Sequence, residues 1–354
     1  MATTDRAAAS PATARVGSRA RQGAVTIRQV AAAAGVSRAT ASRVINGSPL
    51  ASEEARRAVE AAIADLGFTP SPAARSLALG RTNSVALVLP EPNARVLSDP
   101  FFAQVILGLS AELDQTDLQM VLLLARAGQR TDRINRYLAG RHVDGAVIAS
   151  HHRDDALNQR LVDSGLPCVF FGRPLTVSNA HYVDIDNVTG ARLATQHLVD
   201  QGRRHIATIA GPPDMTAGID RLEGWREVVL AAGLSDAAVG YGDFTQASGA
   251  TAMEALLAEH PGLDAVFATS DLMAAGALEV LGGMGRKVPD DVSVVGFDDF
   301  PVAETTKPPL TTVSHPVQTM SARAGRMLLD LLSGQDVGPD PVIFPPQLVL
   351  RSSA

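Results

Sequence analysis

Cysteine is almost absent from this sequence, since Cys168 is the only one in 354 residues. A single cysteine excludes an internal disulfide framework and a four-thiolate zinc site, and it favours a reducing compartment. Cys168 precedes the apolar residues Val169 and Phe170, so a buried and unreactive thiol is expected. The sequence also lacks an apolar run of roughly 18 residues and an apolar signal segment. We therefore expect a cytoplasmic protein without a membrane partner.

Recognisable catalytic motifs are scarce as well. No Ser-His-Asp, paired-carboxylate or Cys-His arrangement stands out, and "GGMGRK" at 282–287 lacks the spacing and the Ser or Thr after Lys that a phosphate loop needs. His151 and His152, followed by Asp154 and Asp155, carry metal-binding atoms, but adjacent histidines in a hydrophilic segment are usually solvated. We expect no enzymatic activity, no cofactor and no metal.

Charge is distributed unevenly along the chain. The net charge is -6, yet residues 1–80 hold ten basic and five acidic residues, whereas residues 81–354 hold 21 basic and 32 acidic residues. A basic segment joined to an acidic remainder indicates a nucleic-acid-binding module attached to a body with a different task.

The basic segment begins with residues 1–24, which consist mainly of Ala, Thr, Ser and Arg and are expected to form a disordered tail. Three short helices are predicted after it. Each follows a hydroxyl residue that can cap its first turn, and these residues are Thr26, Ser37 and Ser52. Gly35 provides a turn between the first two helices, and Gly67 ends the third.

The second helix has the pattern of a DNA-recognition helix. Spacing predicts that Val30 and Ala31 pack against Ala41 and Val44, which leaves four residues exposed: Arg38, Ala39, Ser42 and Arg43. Such a helix enters the major groove, where arginine pairs with guanine. We expect Arg38 and Arg43 to read bases and the hydroxyls to position the helix on phosphates. The predicted DNA-facing set is Ser37, Arg38, Ala39, Thr40, Ser42, Arg43 and Asn46.

Beyond residue 82 the sequence alternates apolar runs with amphipathic stretches. Strands are predicted at 85–89, 120–124, 145–149, 168–171, 182–185, 206–210, 265–268, 292–297 and 342–349. Helices are predicted at 102–113, 190–201, 221–232 and 272–281, among others. This alternation indicates parallel sheets covered on both faces. About 270 residues of it favour two similar lobes with a cleft at the carboxyl ends of the strands.

The stretch "TIRQVAAAAGVSRATASRVINGSP" resembles the head of the lactose-repressor/galactose-repressor (LacI/GalR) family. The resemblance continues through "VDIDNVTGARLATQHLVDQGRRHIATIAGP", "ATSDLMAAGAL" and "VPDDVSVVGFDD", and it covers residues 25–352. It implies a body akin to periplasmic sugar-binding proteins. It also implies a hinge helix in "AARSLA" that folds on DNA, with Leu77 wedged into the minor groove and Ala74 facing its counterpart in a dimer. Ser71 and Pro72 depart from the family pattern.

The fold class expected from these observations is an all-α helix-turn-helix head followed by a two-lobed α/β body with parallel sheets. The expected boundaries are a disordered tail at 1–24, a helix-turn-helix domain at 25–70, a hinge helix and linker at 71–81, and an effector-binding and dimerisation domain at 82–354.

The resemblance also implies residues that bind the effector. Arg221 in "RLEGW" matches an arginine that holds sugar hydroxyls, Asp298 in "GFDD" matches an acid that accepts hydroxyl protons, and Phe244 in "GDFT" matches a ring-stacking aromatic. Ser270 and Asp271 begin a helix, where one side chain is expected to face the ligand and the other to cap the helix. From the first lobe we expect Asp99, Phe101 and Arg173. Trp225 and Asp299 are assigned to structure.

These expectations describe a homodimeric, sequence-specific transcriptional regulator. It is expected to be a repressor that binds a pseudo-palindromic double-stranded operator and responds to a sugar or related metabolite. A solute-binding protein would share the body without the head, and a sugar-modifying enzyme would need a catalytic constellation. An activator or a co-repressor-dependent regulator would use the same parts, so the sequence leaves open whether the ligand releases or tightens DNA.

Overall fold

The computed structural model describes residues 25–69, 81–124, 131–153, 156–338 and 340–354. Contacts divide the chain into two units, residues 1–80 and residues 81–354. The expected tail at 1–24 and the expected hinge residues Ala74 and Leu77 lie outside the described residues. No helix in the described ranges is both long and apolar enough to cross a bilayer.

The described residues of the first unit, 25–69, form the helices α1 (Ile27–Ala33), α2 (Arg38–Ile45) and α3 (Glu53–Leu66). The predicted caps are present: the side chains of Thr26, Ser37 and Ser52 each accept a hydrogen bond from the backbone N–H three residues later. Gly67 ends α3 in the left-handed conformation, with φ 61°, which glycine adopts without steric cost.

A small apolar core joins these helices. It consists of Val30, Ala31, Ala41, Val44, Val59 and Ala62. The spacing predicted the four members on α1 and α2, because residues three and four apart share one helix face. Burial of this face fixes which side of α2 remains open to solvent.

The second unit alternates strands and helices, as predicted. Its strands are β1 (Ser84–Leu89), β2 (Gln119–Leu124), β3 (Gly145–Ala149), β4 (Cys168–Phe171), β5 (Tyr182–Ile185), β6 (Ile206–Ala210), β7 (Val239–Tyr241), β8 (Ala265–Ala268), β9 (Ser293–Val295), β10 (Thr312–Ser314), β11 (Val342–Phe344) and β12 (Gln347–Val349). Its helices are α4 (Asn93–Ser98), α5 (Pro100–Leu113), α6 (Thr131–Ala139), α7 (Ala156–Asp163), α8 (Asn187–Asp200), α9 (Thr216–Ala231), α10 (Gln246–Glu259), α11 (Asp271–Gly283), α12 (Pro301–Thr305) and α13 (Val317–Leu332).

Two parallel sheets form two lobes, which confirms the predicted fold class. The first sheet has the order β11-β5-β4-β3-β1-β2, and the second has the order β7-β6-β8-β9. The strands β3, β4, β6 and β8 are buried along their whole length, because helices cover both faces of such sheets. Helix α13 returns to the first lobe, where the Ser321 hydroxyl donates to the Val105 carbonyl of α5 at 2.6 Å.

The chain passes between the lobes in three described places: from β5 into α8, from β10 into α13, and from β11 into β12. The last of these corrects a prediction, because residues 342–349 form two strands: β11 belongs to the first sheet, and β12 pairs antiparallel with β10. Pro345 and Pro346 separate them, and proline has no N–H for a sheet ladder. The short strands β7 and β10 were not predicted, since three residues carry little periodic signal.

Close packing of α8 on α9 gives a stability prediction. A Cβ on Gly224 would meet the Val188 carbonyl oxygen at 2.4 Å and the Ala191 Cβ at 2.7 Å. We expect Gly224→Ala to lower the free energy of unfolding by about 1 to 3 kcal/mol, measured by urea denaturation. Gly282→Ala is the matched control, because nothing lies within 4 Å of that position. A control as destabilising as Gly224→Ala would contradict the packing explanation.

Candidate functional site

The exposed face of α2 carries two cations. Arg38, Ala39 and Arg43 are exposed, and neither arginine forms an ion pair within the described part of the chain. Ser37 accepts from the Thr40 backbone N–H at 3.0 Å, and the two hydroxyls lie 2.9 Å apart. This arrangement leaves both guanidinium groups available to an anion or a base edge.

Near the C-terminal end of α2, two side chains form a hydrogen bond with each other. The Asn46 amide donates to the Ser42 hydroxyl at 3.4 Å, and both residues are half-buried. All seven residues of the predicted DNA-facing set therefore lie on or directly beside α2.

A cavity lies between the two lobes, at the carboxyl ends of the strands in both sheets. It encloses about 740 Å³ of empty space including its open mouth. First-lobe residues on its wall follow β1, β3 and β4 or belong to β5, and second-lobe residues follow β6, β7, β8 and β9. Of the predicted effector residues, the wall includes Asp99, Phe101, Arg221, Phe244, Ser270 and Asp298.

Arg221 is the central cation of the cavity. It is 3 % exposed, and its Nε donates to the Asn187 side-chain oxygen at 2.8 Å. Its Nη1 donates to the Thr269 carbonyl at 2.7 Å and to Asp298 Oδ1 at 3.2 Å. The guanidinium also lies 3.6 Å from the centre of the Phe297 ring, within cation–π range. These contacts fix a buried guanidinium with a carboxylate beside it, a pair that suits sugar hydroxyls.

His315 extends this pair and was not predicted. Its Nδ1 lies 3.2 Å from Asp298 Oδ1, and its backbone N–H donates to the Asp298 carbonyl at 3.2 Å. Burial lowers the pKa of His315, although the hydrogen bond with Asp298 opposes this effect. Among the described residues, the His315 Nε2 is a buried atom with no hydrogen-bond partner. It is therefore available to a ligand that enters the cavity.

Aromatic rings provide apolar faces around these polar groups. Phe101 packs edge-to-face on Phe171, with ring centres 5.5 Å apart. Phe244 is held in the left-handed conformation, with φ 66°, and its ring lies 5.5 Å from the Arg95 guanidinium carbon of the other lobe. A non-glycine residue rarely adopts this conformation. The arrangement combines flat apolar surfaces with a few charged groups, as sugar sites do.

Two carboxyl groups on the cavity wall have raised pKa values. Burial raises the pKa of Asp99 to about 6, and burial also raises the pKa of Asp184 to about 6. Asp99 accepts the Phe101 backbone N–H at 2.9 Å and so caps α5. Ser270 likewise caps α11 while it lines the cavity, accepting from the Met273 backbone N–H at 3.2 Å.

Two of the predicted effector residues do not line the cavity. Arg173 donates through one Nη2 to both oxygens of Asp220, each at 2.7 Å, and so links the end of β4 to α9 of the second lobe. Asp271 is fully buried and accepts from the Phe300 backbone N–H and the Thr312 hydroxyl. The Arg173 guanidinium and the Asp271 carboxyl group both form hydrogen bonds within the protein. We therefore leave these two residues out of the proposed ligand contacts.

A second polar group spans the lobes at the cavity rim. His152, after β3, places its Nε2 3.1 Å from Glu91 Oε1 in the first lobe and its Nδ1 2.8 Å from Asp214 Oδ2 in the second. Glu91 also accepts from Arg95 at 2.7 Å and from Ser150 at 2.6 Å. Ser150 and Met215, which neighbour this group in sequence, line the cavity.

The sequence reasoning missed His315, Asn187, Asp184, Glu91 and Arg95 as members of these clusters. A usable signal existed for Glu91 and Asn187, because each lies two residues after a predicted strand, 85–89 and 182–185 respectively. The carboxyl ends of parallel strands meet at one edge of a sheet. His315 offered no such signal, because it comes after β10, which was not predicted.

The comparisons with known proteins agree with this geometry. Residues 26–71 match the model of bacterial regulatory proteins of the lacI family, and residues 195–354 match a periplasmic binding protein-like domain. The HTH-type transcriptional regulator CelR of Thermobifida fusca is 48% identical over 332 residues, which span 93% of this chain and 98% of that protein. The ribose operon repressor of Halalkalibacterium halodurans is 34% identical, over 93% of this chain and 96% of that protein.

Two solved structures extend the similarity to the whole fold. A CelR–cellobiose complex aligns with a TM-score of 0.75 at 47% identity, covering 93% of this chain and 100% of that one. The Lac repressor dimer bound to operator and the anti-inducer ONPF aligns with a TM-score of 0.80 at 27% identity, covering 94% and 99%.

A helix-turn-helix head joined to a two-lobed cavity-bearing body defines a ligand-responsive, DNA-binding transcriptional regulator. The chain belongs to the lacI family of bacterial regulatory proteins, which confirms the family expected from the sequence.

Proposed function

We propose that this protein is a homodimeric repressor that binds a pseudo-palindromic operator and releases it when cellobiose or a closely related β-linked disaccharide occupies the cavity. The observation that carries the proposal is the buried Arg221–Asp298 pair beneath aromatic rings, in a chain 48% identical to CelR. A solved CelR structure contains cellobiose, and the Lac repressor is bound to its operator as a dimer. We further propose a cytoplasmic location and no enzymatic activity.

The proposed effector contacts follow from hydrogen-bond chemistry. Arg221 donates to hydroxyl oxygens, while Asp298 accepts from hydroxyl groups. Phe101 and Phe244 stack on the apolar faces of the sugar rings. Asp99 and Ser270, which also line the cavity, complete the proposed contacts.

The proposed DNA contacts lie on α2. Arg38 and Arg43 donate to guanine in the major groove, and Ala39 contacts a neighbouring base edge. The hydroxyls of Ser37, Thr40 and Ser42 and the amide of Asn46 position the helix on the phosphate backbone. Two such heads, related by the two-fold axis of a dimer, read the two halves of an operator.

Effector control requires unequal affinity for two lobe arrangements. Both lobes contribute to the cavity wall, so a disaccharide between them favours the closed arrangement. We propose that this closure changes the spacing of the two heads and weakens the operator complex.

The test begins with a duplex that the wild-type protein selects from genomic fragments. We expect cellobiose to reduce the affinity for this duplex by about 5- to 150-fold, the usual range of coupling between two sites, measured by fluorescence anisotropy. Ribose and maltose, an α-linked disaccharide of glucose, are the comparison ligands. A thermal-shift titration on the same protein shows whether each sugar binds, because a ligand of the folded state raises the melting temperature.

The outcomes separate the alternatives. Binding of cellobiose that tightens the DNA complex would contradict release and favour a co-repressor-dependent regulator. If the protein preferred no DNA sequence over another, this result would contradict its proposed role as a regulator and favour a solute-binding protein. A melting shift with a sugar other than cellobiose would replace the proposed effector.

A further inference from the structure

The rim group of Glu91, His152 and Asp214 joins two carboxylates from different lobes through one imidazole ring. Nε2 faces Glu91 Oε1 at 3.1 Å, and Nδ1 faces Asp214 Oδ2 at 2.8 Å. A neutral imidazole has one N–H and one bare nitrogen, whereas an imidazolium has two N–H donors. Ionised carboxylates only accept hydrogen bonds. Both contacts are therefore made at the same time only when His152 carries an extra proton.

The surroundings of His152 favour that proton. The described titratable groups that face it are Glu91 after β1, the preceding His151 and Asp214 after β6, while Arg95 of α4 pairs with Glu91. Hydrogen bonding with Glu91 raises the pKa of His152, although partial burial opposes this rise. Asp154 and Asp155, the next acidic residues along the chain, lie outside the described residues.

The rim group connects the two lobes, so its contacts affect how readily the lobes close. His152 is 22 % exposed and Asp214 is 45 % exposed, so the contact is partly open to solvent, and the cavity wall includes their sequence neighbours His151 and Met215. Beside it the Arg153 backbone N–H donates to the Asp214 carbonyl at 2.8 Å. A second link between the lobes, from Arg173 to Asp220, uses a guanidinium that keeps its charge throughout the physiological range. Of the two cations in these links, the imidazolium of His152 is the one that can lose its proton within that range.

We propose that His152 is a positioning residue that holds the two lobes together over the effector as an imidazolium, so that effector binding is accompanied by uptake of a proton. The proposal rests on the proposed function, because closure must favour the effector-bound form. In this step one proton moves from solvent to the imidazole of His152 as the lobes close. The N–H bond is the only covalent bond that forms.

The sign of the pH dependence follows from the raised pKa. A group that is more basic in the bridged form stabilises that form fully below the pKa of the open form, and this stabilisation is lost as pH rises through the higher pKa of the bridged form. The carboxyls of Asp99 and Asp184, with pKa values of about 6, titrate below this window. Between pH 7 and pH 9 we expect the affinity for cellobiose to fall about fivefold, the lower end of typical coupling.

The experiment is calorimetric titration of the full-length protein with cellobiose in phosphate and in Tris, whose ionisation enthalpies differ. The difference between the two heats gives the number of protons taken up. We expect a positive fraction of one proton for the wild type near pH 7.5 and none for His152→Gln or Asp214→Asn. Arg173→Gln is the control, because it removes the other link between the lobes and leaves the proton uptake in place.

The variant His152→Lys tests whether the positive charge at this position, rather than the shape of the side chain, holds the two lobes together. Lysine keeps its charge to about pH 10, so this variant should bind cellobiose at pH 9 at least as tightly as the wild type and without pH dependence. Cellobiose binding by the wild type with no proton uptake would overturn the proposal, as would an unchanged pH dependence in His152→Gln.

A readout without ligand separates this proposal from the choice of effector. Hydrogen exchange of the Arg153 amide, corrected for the intrinsic effect of pH, should become faster from pH 7 to pH 9 in the wild type and be fast throughout in His152→Gln. Absence of heat with cellobiose contradicts the proposed effector alone. If the Arg153 amide exchanged equally fast in the wild type and in His152→Gln at every pH, this result would contradict a link between the lobes through His152.

Discussion

Arg221→Ala is expected to weaken cellobiose binding about 100-fold or more while operator binding is retained. The substitution removes the guanidinium donors proposed for the sugar hydroxyls, and each hydrogen bond to a charged group contributes about 1.5 to 3 kcal/mol, where 1.4 kcal/mol is tenfold in affinity. It also removes the donors to Asn187 and to the Thr269 carbonyl. Calorimetric titration of the variant measures the loss directly.

Two further variants make this result interpretable. Arg221→Lys keeps the charge but replaces the forked donors by a point charge, so an intermediate loss of about tenfold is expected. Arg226→Ala removes an arginine of the same helix that pairs with Asp236 at the surface, and it should leave binding nearly unchanged. An Arg221→Ala protein that titrates like the wild type would remove Arg221 from the proposed site.

Arg38→Ala is expected to weaken specific operator binding by about 1 to 3 kcal/mol, the usual value of a bidentate contact between arginine and guanine. Binding to a duplex of unrelated sequence should change much less, because Arg38 is proposed to read a base rather than a phosphate. The affinity for cellobiose should be unchanged, since the effector cavity belongs to the other unit. Anisotropy titrations of both duplexes at one salt concentration measure the difference.

Arg57→Ala provides the matched control for charge. Arg57 is an exposed arginine on α3, so its removal lowers the net charge equally without altering α2. We expect this substitution to lower the affinity for both duplexes slightly and by the same factor, because the electrostatic contribution to DNA binding does not depend on sequence. An equal loss of specificity in both variants would contradict base reading by Arg38.

The helix boundaries of the first unit could be predicted closely from the sequence. A hydroxyl before each helix and glycine after the third are local signals, and they need no knowledge of distant residues. The central strands of both sheets were predictable for a similar reason, because β3, β4 and β8 are continuous apolar runs and Thr208 is the one polar residue of β6. The strands β7, β10 and β12 have three residues each, so their pairing depends on neighbours far away in the chain.

The candidate site shows a different limit. The family pattern placed Arg221, Asp298 and Phe244 on the cavity wall, but it also proposed Arg173, whose guanidinium pairs with Asp220 of the other lobe. Nothing in the local sequence around Arg173 indicates that partner, which lies 47 residues away. Asp271 illustrates the same point, because its neighbours Phe300 and Thr312 come from later segments of the chain.

The sequence by itself determined the modules of this protein: a basic three-helix head with arginines on one face, and an acidic body of alternating strands and helices. These features follow from local capping, periodicity and charge. Only the tertiary structure decided which polar groups meet between the lobes, including the contacts of His315 with Asp298 and of His152 with Glu91 and Asp214. Hydrogen bonds act over about 3 Å, and the chain brings these distant residues within that reach only after both sheets have formed and the lobes face each other.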